Sequence, residues 1–220
     1  MLKGQTYDEV CQNFRWNLPQ AYNIGVDVCD KWANGSKRLA LIYVGPDEKE
    51  QRFSFQDLKA LSNKLANALR ANGTEKGDRV GILLPQCPET LISHIAVYKL
   101  GCIALPLLTL FGPMAIEYRL QDSAAKVVIT NSENLTKIME IRDRLPDLKL
   151  ILVVGDDAGE GIIDFWESVS DGKDDFDPVV TRPDDPALII YTSGTTGQPK
   201  GTLHAHRLLL GIMPGFEFYH

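Results

Sequence analysis

The chain reads as an α/β protein: a doubly wound, mostly parallel sheet with helices on both faces. Two observations predict this. From residue 79 to residue 154, short runs rich in Val, Ile and Leu alternate with amphipathic stretches of helical period. The runs are apolar throughout, as strands covered on both faces must be, and do not show the polar alternation of a half-exposed sheet. A length of 220 residues suits one large domain or one to two small ones, with enough chain to bury a sizeable core.

The elements follow in order. Thr6 and Glu9 are spaced as a capping box for a helix from Tyr7 to about Arg15, and Pro19 marks its end. A second short helix is expected around Val26 to Ala33. Trp16, Tyr22 and Trp32 read as aromatic packing that pins this arm, residues 1–35, to the body, residues 36–220. Leu39 to Val44 and Gln51 to Ser54 flank a Gly-Pro-Asp-Glu-Lys turn and predict a hairpin. Ser54 with Asp57 caps a helix whose Leu58, Leu61, Leu65, Ala68 and Leu69 keep helical spacing until Gly73. Then come strand 79–84, helix 89–100, strand 102–108, helix 113–122, strand 126–130, helix 134–144 and strand 149–154. Residues 170–186, rich in Asp and Pro, read as a solvated connector.

Composition excludes several functions. A net charge of −6, with basic residues dispersed, argues against general affinity for nucleic acid or anionic membrane. Cys11, Cys29, Cys87 and Cys102 form no C-x-x-C pair and sit among apolar neighbours, as reduced core thiols of a cytoplasmic protein do. The start of the chain has no basic, then apolar, secretory pattern, and the longest nearly apolar stretch, 102–116, is too short and too interrupted to span a bilayer.

The chemistry concentrates in Ala187-Leu-Ile-Ile-Tyr-Thr-Ser-Gly-Thr-Thr-Gly-Gln-Pro-Lys-Gly201. A buried strand, Ala187 to Ile190, runs into a loop in which Gly194 and Gly197 free the backbone to bring N–H donors close to an anion. Thr192, Ser193, Thr195 and Thr196 add hydroxyls, and Lys200 adds a mobile cation. Such a set of donors fits polyphosphate. The P-loop of nucleoside triphosphatases is a rival reading, but here the order is Lys200-Gly201-Thr202, and Pro199 biases Gln198 away from the helix that motif requires. A Ser/Thr/Gly surface turn with no ligand is the other. Beyond the loop, Gly201 to His204 reads as extended and the chain from Arg207 as helical. His204 and His206 lack a third ligand for a metal.

Tyr191-Thr-Ser-Gly-Thr-Thr-Gly-x-Pro-Lys-Gly201 resembles the signature loop of the adenylate-forming superfamily. Two upstream stretches resemble further motifs of that family in the expected order: Phe53-Ser-Phe-Gln-Asp-Leu58 and Tyr98-Lys-Leu-Gly-Cys-Ile-Ala-Leu-Pro106. Phe14 to Asn23 and Leu110-Phe-Gly-Pro113 lean toward its acetyl-, short- and medium-chain acyl-CoA synthetase branch. The resemblance implies an incomplete N-terminal nucleotide-binding domain, with ATP phosphates held by Thr192, Ser193, Gly194, Thr195, Thr196, Gly197 and Lys200. It places His206 on the active-site wall, with His204 a weaker candidate.

It further implies ATP, Mg2+ and CoA as co-reactants of a small carboxylic acid. The catalytic lysine, the magnesium-binding glutamate, the ribose-binding aspartate and the acyl pocket of such enzymes lie in segments beyond His220, so no catalytic or metal-binding residue is assigned within 1–220. The chain is accordingly expected to be the N-terminal portion of a longer ligase, incomplete for adenylation alone. A non-catalytic nucleotide-binding module and a self-associating fragment with an exposed sheet edge remain as alternatives.

Overall fold

A computed structural model describes residues 4–155, 159, 161–193 and 197–219. Helix α1 spans Tyr7–Asn13; Thr6 Oγ1 accepts from the Glu9 N–H, and the Glu9 carboxylate accepts from the Gln5 N–H. None of its residues is buried, so the first half of the arm is not pinned by packing. The second short helix starts earlier than expected: α2 is Ile24–Val28, capped by Asn23, with a 3-10 turn over Asp30–Trp32. Asn23 is the cause, since its side chain accepts from the Val26 N–H and fixes the first turn there. Of the three aromatics, Tyr22 is buried whereas Trp16 is 57% exposed and Trp32 38% exposed.

Strands β1 (Leu39–Val44) and β2 (Glu50–Ser54) form the expected antiparallel hairpin. Helix α3 (Phe55–Ala71) follows with both halves of its capping box made, Asp57 N–H to Ser54 Oγ and Ser54 N–H to the Asp57 carboxylate. Alternation then delivers β3 (Arg79–Leu83), α4 (Pro88–Lys99), β4 (Ile103–Pro106), α5 (Pro113–Asp122), β5 (Val127–Asn131), α6 (Ser132–Ile141) and β6 (Leu150–Val154). Helix α6 begins two residues before the expected Asn134 because Asn131 caps it. β7 (Ile162–Asp164) and α7 (Phe165–Asp171) escaped the sequence reading, being too short for periodicity to register. The chain closes with β8 (Pro186–Thr192), β9 (Lys200–Ala205) and α8 (Leu208–Tyr219).

Seven strands form one sheet in the order β7-β6-β5-β3-β4-β8-β9, parallel except for β9, which runs antiparallel to β8. β8 joins β4 at a single registered pair, Ala104 with Leu188, whereas it pairs with β9 from Pro186 to Thr192. Alternate strand residues feed two cores. Val80, Ile82, Val127, Ile129 and Leu152 pack against α2, α3, α4 and α7; Leu83, Leu105, Val128, Ile151 and Val153 pack against α5 and α6. The sheet is therefore doubly wound.

Two features of the first core had no sequence signal. Lys99, on α4, has no solvent exposure; its ammonium lies 2.6 Å from Asp30 Oδ1 and donates to Ser62 Oγ at 2.9 Å and Asn63 Oδ1 at 2.7 Å. One cation thus ties α4 to α3 and to the turn after α2. Gly25 lets α2 approach α4 closely: a Cβ there would lie 2.8 Å from Ile95 O and 3.0 Å from Lys99 Cγ.

The expected solvated connector is instead a strap across this core. Phe176 and Thr181 are buried; Asn63 and Asn67 donate to the carbonyls of Asp174, Lys173 and Asp175; and Tyr22 and Thr181 exchange hydrogen bonds. Its backbone satisfies α3 despite its acidic composition, a distinction that composition cannot make. The cysteines also divide: Cys29 and Cys102 are core thiols, Cys87 is partly buried and Cys11 is exposed, against the expectation for all four.

Candidate functional site

The loop after β8 sits where a doubly wound sheet offers its ligand crevice. β8 is parallel to β4, so the chain leaves the sheet at the carboxyl edge of the parallel strands. Thr192 and Lys200 face each other as the last registered pair of the β8–β9 hairpin, and both are exposed, as is Ser193. Among the described residues the Lys200 ammonium has no ion pair, so its charge is free for an incoming anion. Gly197 has φ +94°, the left-handed region that a side chain disfavours, and its Cβ direction is open. Gly194, Thr195 and Thr196 lie outside the described residues.

The loop's flanks rest on α5. Tyr118 Oη donates to Pro199 O at 3.0 Å, and Tyr191 Oη donates to Asp122 Oδ2 at 2.5 Å. The two tyrosine rings meet edge to face, with centroids 6.2 Å apart. The nearly buried Arg119 guanidinium lies 4.1 Å from the Phe111 ring centroid and 5.5 Å from that of Tyr191, and Nη1 donates to Ala115 O. Burial, first, and then the Asp122 carboxylate push the Tyr191 phenol well above its usual value, so it remains a donor throughout the neutral range. A cleft of about 500 Å³ opens between α5 and Gln198–Pro199, lined also by Met114, Glu117 and Arg119. Gly201 faces the Tyr191 ring at van der Waals distance: a Cβ would lie 3.0 Å from Tyr191 Cζ and 3.1 Å from Ile189 Cγ2. Sequence reasoning named Gly201 only as part of the motif and missed Tyr118 and Asp122, for which the helical period of α5 gives no hint of partners 81 and 69 residues away.

The two histidines part company. His204 is partly buried on β9 opposite Leu188. His206 has no solvent exposure; its Nδ1 accepts from the Ile24 N–H at 3.2 Å, which leaves the proton on Nε2, a buried atom with no hydrogen-bond partner among the described residues. Its ring lies 6.3 Å from that of Tyr98. Burial lowers its pKa to about 4, against a smaller upward pull from Asp185 and with a further downward push from Lys76. In this setting His206 joins the segment at Ile24 to the end of β9. Helix α4 carries a second such ring: His94 Nδ1 lies 3.2 Å from Tyr98 Oη, and burial lowers its pKa to about 4 as well.

Known proteins match this chain over most of its length. The model of the AMP-binding enzyme family matches residues 29–216. The acetyl-coenzyme A synthetase of Bacillus subtilis (strain 168) is 35% identical over 94% of this chain, and human acyl-coenzyme A synthetase ACSM3, mitochondrial, is 31% identical over 97%. The chain spans 38% of the length of each. Among solved structures, that of a Brucella canis acyl-CoA synthetase superposes with a TM-score of 0.85 at 31% identity, covering 94% of this chain and 39% of that one. The anthranilate CoA ligase AuaEII in complex with anthranoyl-AMP gives 0.78 at 33% identity, covering 86% and 36%.

Proposed function

Because the chain belongs to the AMP-binding enzyme family, we propose that it is the N-terminal part of an AMP-forming carboxylic acid–CoA ligase whose triphosphate grip is the 192–200 loop. Residues 1–35 are then the helical arm and 36–220 the partial nucleotide-binding domain. The observation that carries the reading is that Thr192 and Lys200, both exposed and directly opposite in the β8–β9 register, stand at the mouth of a loop that leaves a parallel sheet at its carboxyl edge.

The chemistry requires such a grip. A carboxylate attacking the α-phosphorus of ATP meets a tetra-anion that repels it, so the β- and γ-phosphates must be neutralised and held in line as pyrophosphate departs. Thr192, Ser193, Thr195 and Thr196 would donate hydroxyl hydrogens, Gly194 and Gly197 would contribute backbone N–H groups, and Lys200 would supply positive charge. Mg2+ would accompany the nucleotide, and CoA thiol would then take the acyl group from the adenylate. His206 would help shape the wall of this site, its Nδ1 holding Ile24 at the end of β9. Among the described residues no helix is long and apolar enough to cross a membrane. Four cysteines without a disulfide support the cytoplasm as the compartment of this enzyme.

The test is calorimetric titration of the chain with Mg-ATP, alongside Lys200→Ala and a Thr195→Ala/Thr196→Ala pair. Binding that these substitutions abolish supports the reading; binding they leave intact overturns it. A second reading, self-association, draws on the exposed Ile190 and Leu203 on β8 and β9 and on Ile212 and Met213 on α8. Sedimentation over a concentration series decides it, since only self-association makes the mass concentration-dependent.

A further inference from the structure

The two stems of the loop, Tyr191 on one side and Pro199 to Gly201 on the other, are held by a single helix that contributes no phosphate donor. Tyr118 Oη reaches Pro199 O, Asp122 receives the Tyr191 hydroxyl, and the two tyrosine rings lock edge to face between them. Gly201 completes the lock from the opposite strand, because only a residue without Cβ lets the Tyr191 ring lie this close to β9. Arg119 packs over the same ring from the same helix.

We propose that Tyr118 and Asp122 are positioning residues: through them α5 sets the separation and orientation of the two stems that lead into the 192–200 loop, and so preorganises Thr192, Ser193 and Lys200 before nucleotide arrives. The ligand half of this statement rests on the function proposed above; the clamp itself does not. Spacing supports the assignment. Tyr118 and Asp122 stand at i and i+4, on one face of α5, so one helical turn delivers one hydrogen bond to each stem. Neither bond is part of a helix or strand ladder, so both are free to specify the loop.

Amide hydrogen exchange on the ligand-free chain tests the clamp. Tyr118→Phe keeps the ring and deletes only the hydroxyl; exchange at Lys200 to Leu203 is expected to quicken about fivefold, as loss of one neutral hydrogen bond allows, with β3 and β5 unchanged. Asp122→Ala is expected to do the same at Tyr191 to Ser193. Asp122→Asn, whose amide oxygen can still accept from Tyr191, is expected to behave as the parent. Unchanged exchange at the stems, or an increase shared by β3 and β5, overturns the clamp.

Mg-ATP titration supplies the second reading. Tyr118→Phe should weaken binding about fivefold at a temperature where the chain is fully folded, and an unaltered Kd overturns the preorganising role. Absence of binding by the parent chain refutes the nucleotide reading alone, and exchange still decides whether α5 sets the stems.

Discussion

Lys99→Met isolates a cation sealed inside the first core. Methionine retains most of the apolar stem, so the change removes the ammonium and little volume. Three partners lose it together: Asp30, at 11% side-chain exposure, Ser62 and Asn63. The hydroxyl and amide acceptors would each forfeit a charge-assisted bond, while Asp30 would keep a negative charge in a place that offers it little water. Breaking one half of a buried pair costs about 3–5 kcal/mol, and the near-complete burial here places the expected loss within that range.

Burial lowers the pKa of Lys99, while Asp30 pulls it back upward, so the pair is held together against its own desolvation. The assay is equilibrium urea unfolding of Lys99→Met, Asp30→Asn and the double variant. The single lysine change should carry the full cost. The double variant should be markedly more stable than the sum of the singles, because a neutral amide in place of the Asp30 carboxylate no longer strands a charge. A loss below about 1 kcal/mol for Lys99→Met, or additive effects, would refute the view that this cation organises α3, α4 and the turn after α2.

Further outcomes follow from the same structure. His94 and His206 are held neutral down to about pH 4, against about 6.5 in the unfolded chain. A folded pKa below the unfolded one means that the unfolded state takes up the proton first. Stability should therefore fall as pH drops from about 6.5 toward 4 and level off below, by at most about 3–4 kcal/mol per ring; urea unfolding between pH 7 and pH 4 reads it. Gly201→Ala should cost about 1–3 kcal/mol through its clash with the Tyr191 ring, and Tyr191→Ala in the same chain should recover part of that loss in thermal unfolding. Burial raises the Cys29 and Cys102 thiols to about 11 and about 12, whereas Cys11 is exposed; a thiol reagent at neutral pH should label Cys11 fast and those two only on unfolding, as peptide mapping would show.

Much of this fold was legible in the sequence because local chemistry and global architecture agree. The capping box of α3, the proline at the start of α4 and α5 and the unbroken apolar runs of β3, β5 and β6 each state locally what the sheet requires. The misses share a cause. Lys99 looks like a surface residue at the end of an amphipathic helix, and its burial depends on Asp30, Ser62 and Asn63 arriving from elsewhere in the chain. The strap at 170–186 has the composition of a solvated loop, yet the backbone carbonyls of Lys173, Asp174 and Asp175 accept from α3, which composition does not reveal. The 192–200 stretch stands out in the sequence because glycine, hydroxyls and lysine crowd into it; the contacts of its stems with Tyr118 and Asp122 do not, since no sequence periodicity connects α5 to Pro199.

The attachment of β8 has a kinetic consequence. The β8–β9 hairpin is local in sequence and can pair early, but it meets the rest of the sheet at Ala104 and Leu188, across some 80 residues of intervening chain and a thin ladder. Closing that distance is entropically slow, and a short ladder gives back little on closure. The hairpin should thus be the last part of the sheet to dock during folding and the first to detach in native-state fluctuations. On the function proposed above, that hairpin should behave as a semi-independent foldon whose docking equilibrium a bound polyphosphate would pull toward the sheet.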